Sequence, residues 1–87
     1  MNYNNLVYSN TAVTSTDGEV SIGKHTSSIK LINTHASTNA IVRLNGGPRS
    51  VLIPAISSGG GYVELPGDYT SFEVLTSSVT LAIIAFG

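Results

Sequence analysis

Apolar residues recur at every second position in short runs along this chain, and the runs are broken about every ten residues by clusters of Gly, Pro, Asn, Asp and Ser. That rhythm predicts strands over Leu6 to Thr14, Glu19 to Gly23, Ser28 to Thr34, Ala40 to Leu44, Ser50 to Pro54, Gly61 to Leu65, Thr70 to Leu75 and Val79 to Phe86. No window of helical spacing competes with it. The expected fold is all-β: a single small antiparallel β-sandwich, jelly-roll-like, of about eight strands.

The breaks have local reasons. Asp17-Gly18 carries hairpin-turn chemistry, because Gly tolerates positive φ and Asp favours the turn. Asn45-Gly46-Gly47-Pro48 allows positive φ twice and then fixes φ without a donor, so a strand cannot run through it. Pro66-Gly67 fits the two central positions of a type II turn. Ser57-Ser58-Gly59-Gly60-Gly61 reads as a looser link, or as a place where another backbone comes close.

Alternation names the inward side chains. They are Val20 and Ile22, Ile29 and Leu31, Val42 and Leu44, Val51 and Ile53, Val63 and Leu65, Phe72 and Val74, and one face of the last strand. Ile41 beside Val42 leaves the register of that strand open. The last strand is the exception to the pattern, since it is apolar on both faces. Val79, Leu81, Ile83 and Ala85 point one way, while Ala82, Ile84 and Phe86 point the other. A sandwich core absorbs one of these sets. The second needs a cover, and a neighbouring subunit is the economical one, which makes Ala82, Ile84 and Phe86 the expected oligomer interface.

Eighty-seven residues fit one domain, with an extended amino-terminal arm over residues 1–10 set ahead of a sandwich over residues 11–87. Charged residues are only 10% of the chain, and all nine lie between Asp17 and Glu73. The net charge of −1 provides no basic field to collect nucleic acid. No stretch reaches the apolar length of a membrane helix, and the amino terminus lacks the pattern of a secretory signal, so neither a membrane nor export is expected and synthesis is expected in the cytoplasm. Without cysteine, neither a disulfide nor a thiolate metal site is available.

Candidate chemistry is sparse. His25 and His35 are the only imidazoles, and neither is spaced with an acid as a ligand pair, so no metal site is expected and both read as exposed turn residues. Glu64, Asp68 and Glu73 offer carboxylates for a glycosidase pair, but charged edge and turn residues that limit unwanted strand pairing explain them more simply. No serine stands in a nucleophile elbow, and Gly59-Gly60-Gly61 precedes a strand without the Lys of a phosphate loop. No catalytic residue and no cofactor is implied, and the chain is not expected to be an enzyme. Four tyrosines remain, Tyr3, Tyr8, Tyr62 and Tyr69, each suited to anchoring another protein. Tyr3, Leu6 and Tyr8 fall in the arm, which could lie on a neighbour.

Ile41-Val42-Arg43-Leu44-Asn45-Gly46-Gly47, Val51-Leu52-Ile53-Pro54-Ala55 and Leu65-Pro66-Gly67-Asp68-Tyr69-Thr70-Ser71-Phe72, followed by the closing apolar strand, resemble small β-sandwich virion proteins of tailed bacteriophages. Within that group the pattern looks most like the capsid decoration, or cement, proteins. The likeness spans Ile29 to Gly87 and carries no catalytic or ligand signature. It implies a structural protein on the virion surface, a homo-oligomer, most plausibly a trimer, that bridges subunits of the major capsid protein. The oligomer contact would fall on Ala82, Ile84 and Phe86, and the capsid contact on Tyr3, Leu6 and Tyr8. Similar modules serve in necks, tails and fibres, and a carbohydrate- or receptor-binding sandwich and a self-assembling filament or tail-tube component are the other readings.

Overall fold

The computed structural model describes residues 5–87, apart from the side chain of Ser58. Its strands are β1 (Leu6–Val13), β2 (Glu19–Ser21), β3 (Ser28–Asn33), β4 (Ala40–Leu44), β5 (Ser50–Ile53), β6 (Tyr62–Pro66), β7 (Ser71–Val74) and β8 (Leu81–Phe86). Each falls within two residues of the run that predicts it. Two four-stranded antiparallel sheets result, in the orders β1-β8-β3-β6 and β2-β7-β4-β5. This is the jelly-roll arrangement.

The topology can be read as one long hairpin rolled up. The first strand pairs with the last, the second with the seventh, the third with the sixth and the fourth with the fifth. Closure of β8 on β3 and of β7 on β4 then joins these ribbons into two sheets. At the centre of the roll, Asn45 (φ 59°) and Gly46 (φ 63°) take the two left-handed positions of a type I′ turn, closed by the Gly47 N–H donating to the Leu44 carbonyl at 3.3 Å. A type I′ turn follows the right-handed twist of its strands, and Asn-Gly is the pair best suited to it.

Among the described strands, β4–β5 is the only connection between consecutive strands that stays within one sheet; every other one crosses to the opposite sheet. Two expected turns are corrected accordingly. Asp17-Gly18 makes no hairpin, because β1 and β2 lie in different sheets. A short 3-10 turn over Ser15–Asp17 and Gly18 at φ 65° redirect the chain instead. Pro66-Gly67 is not a type II turn either. Pro66 stays paired with Ser28 in edge strand β6, where its missing donor costs nothing, and Gly67 at φ 134° turns toward the second sheet. Gly60 packs on Pro54, where a Cβ would come within 2.7 Å of the ring, so this glycine marks a close approach.

The core lies between the sheets. Phe72, Ile29, Leu31, Ile53, Leu81, Ile83, Val42 and Val74 are all buried there. The inward list holds throughout, with Val20, Val51, Val63 and Leu65 partly buried at its margin. The open register resolves with Val42 inward and Ile41 outward, its side chain 38% exposed.

The proposed boundary between arm and sandwich does not hold over residues 6–10. Leu6–Val13 is an edge strand of the first sheet, paired with β8, so the sandwich begins at Leu6. Irregularities in the β1–β8 ladder turn Tyr8 toward the core, where its ring meets Phe72 edge-on with centroids 5.5 Å apart. Tyr8 is therefore a packing residue and not a free anchor. Tyr3 lies outside the described residues.

Candidate functional site

Register places the outer face of the first sheet in three rows. Leu6, Phe86, Ser28 and Pro66 form one, Ser9, Ile84, Lys30 and Glu64 the next, and Ala82, Ile32 and Tyr62 the third. Burial along β8 alternates as the sequence requires: Leu81, Ile83 and Ala85 are buried, whereas Ala82, Ile84 and Phe86 are half-buried on the outside. The second apolar set is therefore not absorbed by the chain's own core. It joins Ile32, Leu6 (51% exposed) and Tyr62 (57% exposed) in an apolar stripe across the sheet. Lys30 interrupts the stripe, with its ammonium 4.8 Å from the centre of the Tyr62 ring.

The outer face of the second sheet is divided. One part is polar: the Arg43 guanidinium meets the Glu73 carboxylate at 3.2 Å, and the Ser71 hydroxyl donates to Glu19 at 3.1 Å. The other part carries Ile41 opposite Leu52, with Leu75 donating its N–H to the Ile41 carbonyl. These three side chains are exposed. Sequence reasoning did not single them out. The available signal was the alternation itself, which puts Leu52 outward once Val51 and Ile53 point in.

At one end of the sandwich the β2–β3, β4–β5 and β6–β7 connections meet. Asp68 holds them together: one carboxylate oxygen accepts the Thr26 N–H at 3.0 Å and the other meets His25 Nδ1 at 2.7 Å. The buried Thr26 hydroxyl accepts the Tyr69 N–H and faces the carbonyls of Gly67 and Tyr69. Asn45 braces the hairpin tip, donating to the Asp68 carbonyl at 3.2 Å and accepting the Thr70 N–H at 2.8 Å. Beside this brace, between edge strands β5 and β6, opens a cleft of about 520 Å³ lined by Leu44, Val51 and Leu65, with Tyr69 as a wall and Arg49 among its lining residues.

The Thr26 backbone N–H, and after it the His25 ring, hold the Asp68 carboxyl below its ordinary value of 3.8. A carboxyl lowered in the folded state stabilises the fold above its unfolded value, and that contribution is lost as the pH falls through the folded value. Asp68→Asn is therefore expected to lower the melting temperature at neutral pH. The gap to wild type should close on acidification below about pH 4, as thermal unfolding of both proteins across that range would show. A gap that stays constant with pH would mean that the carboxylate charge has no part in the clamp. Because both side chains of the His25–Asp68 pair are exposed, solvent screening keeps the effect modest.

The opposite end is organised by Asn33, which is completely buried. Its amide donates to the carbonyls of Thr38 at 2.9 Å and Ile53 at 3.1 Å, and its oxygen accepts the His35 N–H at 2.9 Å. His35 is not the exposed turn residue expected. It is half-buried, and its Nδ1 accepts the backbone N–H groups of Ser37 and Thr38 at 3.1 and 3.0 Å, which places the ring proton on Nε2.

Compared with protein-family models, curated proteins and solved structures, the chain matches none. What it can do is thus argued from its own surfaces. The three carboxylates considered for glycoside chemistry are not brought together. Glu64 faces Lys30 on the outer face of the first sheet, Glu73 faces Arg43 on that of the second, and Asp68 lies in a turn. Among the described residues no three His, Asp or Glu side chains are grouped as a metal site would need. No helix among them is long and apolar enough to cross a membrane.

Proposed function

We propose that the chain is a non-enzymatic structural protein of a virion surface, one that self-associates through the first sheet and binds the shell through the second, bridging subunits of the major capsid protein. The observation that carries this reading is the pair of apolar patches on opposite outer faces of a charge-poor sandwich. A bridging protein needs two separate contacts, and Leu6, Ile32, Ala82, Ile84 and Phe86 lie on one face while Ile41, Leu52 and Leu75 lie on the other. The jelly roll also suits the role, because its outer faces are free to vary. The resemblance of residues 29–87 to decoration proteins supports the virion setting.

The first-sheet stripe is assigned to a homo-oligomer, with a trimer favoured. Because Tyr8 packs inward on Phe72, the proposal assigns the shell contact to the Ile41–Leu52–Leu75 patch instead. Affinity for the shell then comes from several such contacts per oligomer acting through effective concentration. With few charges at either face, attachment should be only weakly salt-dependent.

The test separates the two faces. Ile84→Asp puts a carboxylate in the centre of the first stripe and is expected to weaken self-association by at least about thirtyfold, the effect of losing one interface hot spot. Sedimentation of wild type and variant would read it. Leu52→Asp should leave the oligomer intact and abolish co-sedimentation with undecorated shells. A monomeric wild-type protein, or its absence from purified particles, would overturn the reading.

A further inference from the structure

The cleft between β5 and β6 has three properties that the proposed shell role does not use. Its volume of about 520 Å³ lies in the range of small-ligand sites. Its walls are fixed before any ligand arrives. The Tyr69 hydroxyl donates to the Pro66 carbonyl at 2.9 Å, and its ring lies so close to Gly67 that a Cβ there would sit 3.1 Å from the hydroxyl oxygen. Asn45 ties the hairpin tip to the β6–β7 connection, so the two walls cannot part freely. Such rigidity reduces the entropy lost on binding.

The third property is charge. Among the described residues Arg43 is paired with Glu73 and Lys30 lies over Tyr62, whereas the Arg49 guanidinium has no carboxylate partner. No acidic side chain lines the cleft, and the nearby Asp68 carboxylate is engaged by Thr26 and His25. The floor of Leu44, Val51 and Leu65 is apolar. An apolar pocket with one unpaired guanidinium and no acid of its own is complementary to an apolar body carrying a carboxylate, because a planar carboxylate accepts two parallel N–H bonds from such a group.

We infer that this cleft is a binding site for a small apolar carboxylate, whose ring or branched chain lies on Leu65, Val51 and Tyr69 and whose charge meets Arg49. The β4–β5 hairpin, from Leu44 to Val51, supplies most of the lining, and Leu65 and Tyr69 supply the rest. Neither outer face takes part, so the inference stands independently of the shell role.

Titration of the ¹⁵N-labelled chain with 4-phenylbutyrate, and in parallel with the neutral 4-phenylbutanol, tests it. Backbone amides of the non-proline residues within 44–51 and 65–69 are expected to shift saturably with the acid, with a dissociation constant on the order of 1 mM for so small a probe. The alcohol, and the acid with Arg49→Gln, should bind about tenfold more weakly, as loss of one charge-assisted contact implies. Because Arg49 is exposed, the variant's spectrum should otherwise superpose on wild type. Equal affinity for acid and alcohol, an unaffected Arg49→Gln, shifts centred on Ile84 and Phe86, or no saturable shift at these amides would each overturn the inference.

Discussion

Phe72→Ala is expected to remove most of the stability of the isolated chain. Phe72 is completely buried on β7, in the middle of the second sheet, between Val20 of β2 and Leu44 of β4. It is also where the two sheets touch through aromatic rings, since Tyr8 of the first sheet meets it edge-on. Truncating a buried phenylalanine to alanine costs about 3–5 kcal/mol, in lost transfer energy and in the cavity left behind. A typical domain has only about 5–15 kcal/mol in total, and a chain this short, with no disulfide, belongs at the lower end. Far-ultraviolet circular dichroism against urea would measure the loss, with Phe72→Leu as the milder comparison at roughly 1.5 kcal/mol. If Phe72→Ala lowered the midpoint no more than Phe72→Leu, the sheets would be held together elsewhere.

That residue was legible from alternation, as was most of the fold. The period-2 pattern located all eight strands, because each strand has one face in the core and a one-residue slip would expose it. Asn45-Gly46 was legible for a different reason, since the backbone angles demanded by its turn restrict residue choice locally. Strand partners were not legible. Asp17-Gly18 has hairpin chemistry and yet joins two sheets, because the partner of β1 is β8, at the far end of the chain, and local turn preference says nothing about so distant a pairing. The two-faced apolar strand was read correctly as leaving Ala82, Ile84 and Phe86 outside the core. The patch at Ile41, Leu52 and Leu75 escaped notice because its members come from β4, β5 and the residue that follows β7, and meet only through register. Arg49 escaped for the same reason: the cleft exists only where β5 and β6, from different sheets, run along one edge.

Asn33 shows what a pattern of apolar and polar letters hides. It continues the inward series of Ile29 and Leu31, next to the end of the strand expected over Ser28 to Thr34. In the structure it is a fully buried amide whose donors and acceptor serve three backbone groups of the β3–β4 connection and β5. Asn33→Leu keeps the approximate volume but orphans the carbonyls of Thr38 and Ile53 and the N–H of His35. Each buried group left without a partner costs about 1–3 kcal/mol, so a total loss of at least about 3 kcal/mol is expected. Asn39→Ala is the natural control, because that exposed residue accepts a single N–H, from Ala55 at 2.8 Å, and its loss should cost only about 1 kcal/mol. Equilibrium unfolding of both variants decides the matter, and amide exchange at His35 locates it. A variant as stable as Asn39→Ala would mean that the connection can re-pair its backbone or admit water. Faster exchange confined to residues 34–39, with global stability intact, would place Asn33 as a loop brace and not as part of the cooperative core. The expected outcome is loss of both together, since Asn33 bonds β5 as well as the connection and so ties one sheet to the other.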